Sequence, residues 1–168
     1  MEARILIEQL GGSEDLDAVA ALEAASFTNP WTREMLAREL SRSSVARVYV
    51  LRLPGDRVAA FCACWMVVDE LHINTIAVRE TRRRQGLGTA LMQHVLGTAA
   101  KEGVRRATLE VRRSNSPALA FYERLGFTIA AVRARYYTDP EEDALILWRN
   151  MQPGDERLGS RPATDPDP

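Results

Sequence analysis

The order of apolar patterns along the chain predicts an α+β domain: a mixed, mostly antiparallel sheet of about seven strands with helices on both faces. Three runs rich in β-forming residues follow one another directly between Val45 and Val78. Later strand patterns are interrupted by two helical ones of 3.6-residue period, and each of those ends at a glycine. A doubly wound parallel sheet would alternate strand and helix throughout, and this order does not.

Residues 4–10 read as the first strand, punctuated by Gly11-Gly12-Ser13. Ser13 is placed to cap a helix carrying Leu16, Val19, Ala20 and Glu23. The segment SFTNPWT breaks that helix, and Thr32 caps a shorter one through Met35, Leu36 and Leu40, with acidic Glu34 in its first turn. Residues 45–53 and 57–68 flank Pro54-Gly55-Asp56 as a hairpin, and residues 71–78 continue the meander. Leu87, Leu91, Val95 and Ala99 mark one face of the longest helix, which Gly103 ends. In the strand 107–112, Thr108, Glu110 and Arg112 share one face while Leu109 and Val111 take the other. Ser116 and Pro117 read as a cap and a first-turn proline for a helix through Leu119, Ala120, Tyr122 and Leu125, ended by Gly126. Residues 129–134 and 144–148 complete the sheet. The domain spans 1–151, and residues 152–168, with four prolines and two glycines, are expected to be a disordered tail without effect on stability.

The 22 basic and 23 acidic side chains leave a net charge of -1 over 168 residues. That balance excludes a chain whose main task is coating nucleic acid or an anionic membrane, so neither partner is expected and any polyanion site is local. Lys101 is the only lysine. The remaining cations are arginines, the better bidentate partners for phosphate. No His or Cys cluster has metal spacing, so no metal is expected. Cys62 and Cys64, two apart on one strand face, cannot close an ordinary disulfide and read as buried reduced thiols of a reducing compartment. No signal-sequence pattern opens the chain, and no apolar run reaches the roughly 18 residues of a membrane span. Cytoplasmic is the expected localisation.

The segment RETRRRQGLGTALM follows a strand ending in IAV and leads into the longest helix. Gly86 and Gly88 let the backbone approach a ligand, the first-turn N–H groups lack intrahelical acceptors, and the helix dipole adds about half a positive charge. Arg79, Arg82, Arg83 and Arg84 bring side-chain charge to the same end. This is an anion cradle. It lacks the Gly-Lys-Ser/Thr ending of a P-loop and a complete G-x-G-x-x-G fingerprint, but it suits a pyrophosphate-bearing cofactor.

Arg83-x-x-Gly86-x-Gly88 after a strand resembles the R/Q-x-x-G-x-G/A motif of the GNAT superfamily of acetyl-coenzyme A dependent N-acetyltransferases. The element order fits too, over residues 4–151, and the resemblance implies a single GNAT-fold domain. Within the superfamily, LEVRRSNSPALAFYERLGF and RARYYTDPEEDALIL look most like the RimI type, which acetylates the N-terminal amine of the small-subunit ribosomal protein bS18. The resemblance implies that Ile76, Ala77 and Val78 line the pantetheine arm of acetyl-CoA through their backbone. It implies that Arg83, Arg84, Gln85, Gly86, Leu87, Gly88 and Thr89 hold the pyrophosphate, and that Asn115 also touches the coenzyme. Glu110 matches the general base and Tyr122 the general acid.

The chemistry requires such groups. A peptide α-amine, with a pKa near 7.7–8.0, must shed a proton before it attacks a thioester, and the departing thiolate, with a pKa around 8.5, leaves more easily beside a proton donor. No enzyme nucleophile is needed, so transfer is direct within a ternary complex. Phe27, Pro30 and Trp31 are candidates for a wall of the acceptor groove, and Tyr136 and Tyr137 for the pocket around the incoming N-terminus. Glu141, Glu142 and Asp143 are either a solvated turn or an attraction for a basic acceptor residue. His72 and His94 carry little weight as catalysts. Arg135 stands where RimI proteins often have asparagine. Acetylation of another protein N-terminus, a lysine or a small amine also fits these residues, as does, in a different class, a non-catalytic acyl-coenzyme A binding module. The presence of both candidate acid and base disfavours the last.

Overall fold

Apolar residues on successive positions of β2 (Ala46–Leu53) and β3 (Asp56–Val67) bury both faces of the sheet, so helices must cover both. The computed structural model, which describes residues 4–10, 13, 15–42 and 44–160, shows how they do so. Tyr49, Leu51, Cys62 and Cys64 point toward α3 (Leu87–Lys101) and α4 (Ser116–Arg124), while Val48, Val50, Phe61 and Ala63 point toward α1 (Leu16–Ser26) and α2 (Arg33–Arg42). The two cysteines share one face, as period-two alternation requires, and both are buried thiols.

With β1 (Leu6–Gln9), β4 (Glu70–Val78), β5 (Arg106–Arg112), β6 (Thr128–Tyr137) and β7 (Glu142–Asn150), the strand order is β1-β2-β3-β4-β5-β7-β6. Every neighbouring pair is antiparallel except β4–β5, whose parallel crossover is α3. The expected seven strands and four helices are therefore present in the expected order among the described residues. Among these residues no helix is long and apolar enough to cross a membrane.

Helix starts differ in detail from the sequence reading. Thr32 caps α2 as expected, its Oγ1 accepting from Met35 N at 3.2 Å. The N-cap of α1 is Asp15 rather than Ser13, and its side chain makes no cap bond. The buried Asp15 carboxylate instead accepts from Arg52 Nη2 at 2.7 Å and Arg57 Nε at 2.5 Å, tying α1 to the β2–β3 hairpin. In α4 the cap is Asn115, whose Oδ1 accepts from Ala118 N at 3.2 Å, and Ser116 is the first helical residue.

The expected tail is corrected for residues 152–160. A one-turn 3-10 helix, Asp155–Arg157, seats this segment on α3. Asp155 is 7% exposed and accepts from Arg149 Nη1 at 2.7 Å, Arg149 Nη2 at 3.2 Å and Gln152 N at 2.6 Å. A Cβ on Gly97 would lie 2.2 Å from the Leu158 carbonyl oxygen, so the missing side chain is what lets the backbone settle there. Proline and glycine content concealed this seat, because one buried ion pair and one close backbone approach leave no periodic trace. Residues 161–168 lie outside the described residues.

Deleting residues 152–168 should lower Tm. Arg149 would lose its partner in a nearly buried pair, a loss of about 3 kcal/mol that corresponds to a fall of roughly 6–12 °C in a chain of this size, read by calorimetry. The Arg149 guanidinium holds the Asp155 carboxyl below the usual carboxylate range. Its stabilisation is therefore complete at neutral pH and is lost as pH falls through that depressed value.

Candidate active site

The site begins with a pairing that stops early. β4 and β5 are in register only from Glu70–Ile73 against Arg106–Leu109. On the other side of β4, Cys64 pairs with Ile73 and Ala63 with Thr75, leaving Asn74 as a bulge. A bulge shifts side-chain parity and raises the local twist. Leu71 and Ile73 accordingly belong to the α3-side core, whereas Ala77 lies in the α1-side core and Ile76 and Val78 pack toward α3. Beyond the bulge the two parallel strands diverge, and Ile76, Ala77 and Val78 lie along the wedge between them.

At the mouth of that wedge stands the N-terminus of α3. Arg84 (φ +62) and Gly86 (φ +75) take left-handed backbone, and the first helical bond runs from Ala90 N to the Gly86 carbonyl at 3.0 Å. The N–H groups of Leu87, Gly88 and Thr89 therefore have no intrahelical acceptor. Leu87 is buried and anchors the turn, while Arg83, Arg84, Gln85 and Gly86 are exposed. A Cβ on Gly88 would meet Phe121 and Val78 side-chain carbons at 3.5 Å, so only a small residue fits where β4, α3 and α4 converge.

The arginines divide into two kinds. Arg79 and Arg82 each place Nε 3.2 Å from Asp56 Oδ2, and Arg79 also donates to the Val58 carbonyl at 2.9 Å. Their charge is largely answered within the protein, which corrects the expectation that all four arginines serve the cradle. Arg83 donates from Nε to the Val78 carbonyl at 3.1 Å, joining the loop to the wedge. Asn115 is exposed at the start of α4, with its amide oxygen committed to the cap.

Glu110 projects from β5 on the α1/α2 face, half-buried, and its Oε2 lies 2.7 Å from His72 Nε2. That contact holds its carboxyl below the ordinary range, against the opposing effect of burial. Tyr122 lies on the other side of the sheet, packed on Phe121 and Phe127 at ring separations of 5.2 and 5.9 Å. Burial first, then Cys62 and Tyr137, push its phenol well above its usual range, so it remains a neutral donor. Burial first, then the Glu110 charge, push the Tyr137 phenol up to about 12, and Tyr137 in turn is one of the groups that raise Tyr122.

Around this centre, Tyr136 is 44% exposed and edge-on to Tyr137 at 5.1 Å, and the Arg112 guanidinium sits 4.4 Å over the Tyr137 ring. Phe27 is exposed, while Trp31 is half-buried against the α1-side core, its backbone N–H donating to Oε1 of buried Glu23 at 3.2 Å. Asn29 Nδ2 donates to the Thr138 carbonyl at 3.0 Å, so the α1–α2 loop touches the β6–β7 turn. The acidic turn is occupied at home: Glu142 accepts from Ser114 N at 2.5 Å and faces Arg112, Asp143 accepts from Arg113 and Arg135 N, and Glu141 pairs with Arg135. Sequence reasoning missed Asn29, Glu23 and the contact of His72 with Glu110. Each depends on a register or a long-range approach that local patterns do not encode.

Residues 16–127 match the model of the acetyltransferase (GNAT) family. The chain belongs to that family. It is similar to the ribosomal protein bS18-alanine N-acetyltransferase of Escherichia coli, with 38% identity over 135 residues, covering 79% of this chain and 89% of the relative. The crystal structure of the Escherichia coli bS18-alanine N-acetyltransferase superposes with a TM-score of 0.81 at 36% identity, covering 92% of this chain and 99% of that one. Ard1 from Thermoplasma volcanium superposes with a TM-score of 0.77 at 29% identity, over 88% and 98% of the two chains. As a GNAT protein the chain is an acetyl-CoA dependent N-acetyltransferase. The open α3 amides, the small residue at Gly88 and the divergent strands fit a narrow arm that ends in a pyrophosphate.

Arg135 has φ +53 at the register shift between Arg133 and Tyr137, a conformation that asparagine tolerates better than arginine. Replacing Arg135 with Asn should stabilise the GNAT domain by about 1 kcal/mol, a rise of roughly 2–4 °C in Tm. The ion pair lost to Glu141 is exposed on both sides and contributes little.

Proposed function

We propose that this GNAT enzyme acetylates a protein N-terminal α-amine in the cytoplasm, with the N-terminal alanine of ribosomal protein bS18 as its first acceptor. The observation that carries the reading is the set of free amides at the start of α3, standing at the mouth of the β4–β5 wedge whose β5 side carries the half-buried carboxylate of Glu110. The similarity to the Escherichia coli bS18-alanine N-acetyltransferase supports the choice of acceptor.

Acetyl-coenzyme A, when bound, supplies the acyl thioester whose carbonyl carbon the amine attacks. The α3 amides, with Arg83, Arg84 and Gln85, bind its pyrophosphate; Ile76, Ala77 and Val78 orient the arm along the wedge; Asn115 adds a contact at its rim. Glu110, ionised at neutral pH, accepts the proton of the incoming ammonium. Tyr122 donates from its hydroxyl to the leaving sulfur. A thiolate with pKa around 8.5 is a weaker base than this phenolate, so the donor stabilises the departing charge without surrendering its proton completely. Phe27, Trp31, Tyr136 and Tyr137 wall the acceptor groove.

Four measurements test this reading. Replacing Glu110 with Gln should cut turnover by about 10² or more while the Kd for acetyl-CoA stays unchanged; native turnover would remove the base. Tyr122→Phe should lower kcat comparably, less so with a thioester of a more acidic thiol. Arg83→Ala or Gly86→Val should instead weaken coenzyme binding in calorimetric titrations, and unchanged binding in both variants would remove the cradle. Mass spectrometry of a peptide panel differing in the first two residues identifies the acceptor. Modification confined to lysine side chains or small amines would overturn the N-terminal assignment.

A further inference from the structure

His72 stands on β4 two residues before the bulge, on the sheet face that carries Glu110. The parallel register brings them together: His72 pairs with Thr108, and Glu110 is the next β5 residue on that face. The separation of 2.7 Å between His72 Nε2 and Glu110 Oε2 decides where the hydrogen lies. An ionised carboxylate can only accept, so Nε2 must donate. The ring is supported from behind by Trp65, edge-on at 5.3 Å, and Trp65 Nε1 donates to Glu39 Oε2 on α2 at 3.0 Å. A continuous line of contacts thus runs from α2 through β3 and β4 to the carboxylate on β5.

We propose that His72 is a positioning residue for the reaction: its Nε2–H holds Oε2 of Glu110 and leaves Oε1 as the oxygen that takes the acceptor's proton. This rests on the reading of Glu110 as the base. As the ammonium N–H bond breaks, an O–H bond forms at Oε1 and the freed nitrogen lone pair makes the new N–C bond; the thioester C–S bond breaks, and the nitrogen's second excess proton goes to the departing thiolate. The ring keeps its own hydrogen, and the carboxylic acid later releases its proton to water. Both side chains retain partial solvent contact, at 27% and 20% exposure, which gives that proton an exit. The other charged or titratable groups facing Glu110 are Arg133 and Tyr137 from β6, and Arg112 of β5 covers Tyr137. Among these contacts it is the imidazole whose hydrogen bond to the carboxylate fixes its rotamer.

The test compares His72→Phe, which keeps a ring but loses the donor, with His72→Gln, which keeps a donor at the Nε2 position. The Phe variant should lose about tenfold in kcat, the scale of a misaligned catalytic group, with unchanged KM for acetyl-CoA and unchanged Tm. The Gln variant should recover most of that loss. The chain has only two histidines, so 15N NMR of the native protein resolves them and should show Nε2 of His72 carrying hydrogen at neutral and alkaline pH. Native kcat in His72→Phe, no recovery in His72→Gln, or a bare Nε2 in the spectrum would overturn the proposal while Glu110→Gln still cuts turnover by about 10² or more. If Glu110→Gln remains active, the assignment of the base itself falls, and this inference with it.

Discussion

Parallel pairing that lasts only from Glu70 to Ile73 is the constraint on which the rest of the structure depends. Had β4 stayed in register with β5, its backbone would be consumed by the ladder, and Glu110 and Tyr122 would be separated by a closed sheet. The single extra residue at Asn74 changes which side chains face which layer and accompanies the divergence. Ile73 above the bulge still packs against α3, while Thr75 below it reaches α1 and donates from Oγ1 to Glu23 at 3.0 Å. The same short stretch therefore opens the wedge and, through Glu23 and the Trp31 N–H, places the α1–α2 loop beside it.

Much of the surface charge serves as internal tethering. Asp56 gathers Arg79 and Arg82, Asp15 gathers Arg52 and Arg57, and Asp155 takes both Nη atoms of Arg149. Guanidinium is suited to such work because several donors on one rigid plane satisfy a carboxylate and a carbonyl together. Each tether joins a loop to a sheet element, so the arginine-rich composition describes how loops are held more than what they bind. Arg83 and Arg84 are the members of the cluster left at the helix mouth.

The architecture was largely legible in the sequence, because period-two and period-3.6 alternation directly reflects burial on strands and helices. Gly86 and Gly88 announced the cradle through their spacing after a strand. The roles proposed for Glu110 and Tyr122 come only from family resemblance, since an acid on an alternating strand and a tyrosine on an apolar helix are unremarkable alone. What stayed hidden depended on distant partners. The Asn74 bulge interrupts no local pattern, the contact between His72 and Glu110 needs the β4–β5 register, and nothing near Arg79 predicts that Asp56 will answer its charge. The true caps, Asp15 and Asn115, lie within two residues of the expected ones, which is the usual limit of local rules. Residues 152–160 were misread because composition weighs prolines and glycines but not the buried seat those glycines allow.

Lys101, the chain's one side-chain amine, closes the last turn of α3, and the cradle lies at the other end of the same rod. Fourteen helical steps separate Leu87 from Lys101, roughly 20 Å of rigid spacing. An enzyme that stores a reactive acyl donor risks labelling itself, and with a single lysine the chain offers such chemistry one side-chain amine, at the far end of this rod from the amides of the cradle. A stray acyl label on a lysine of this chain can therefore sit at one address, the last turn of α3.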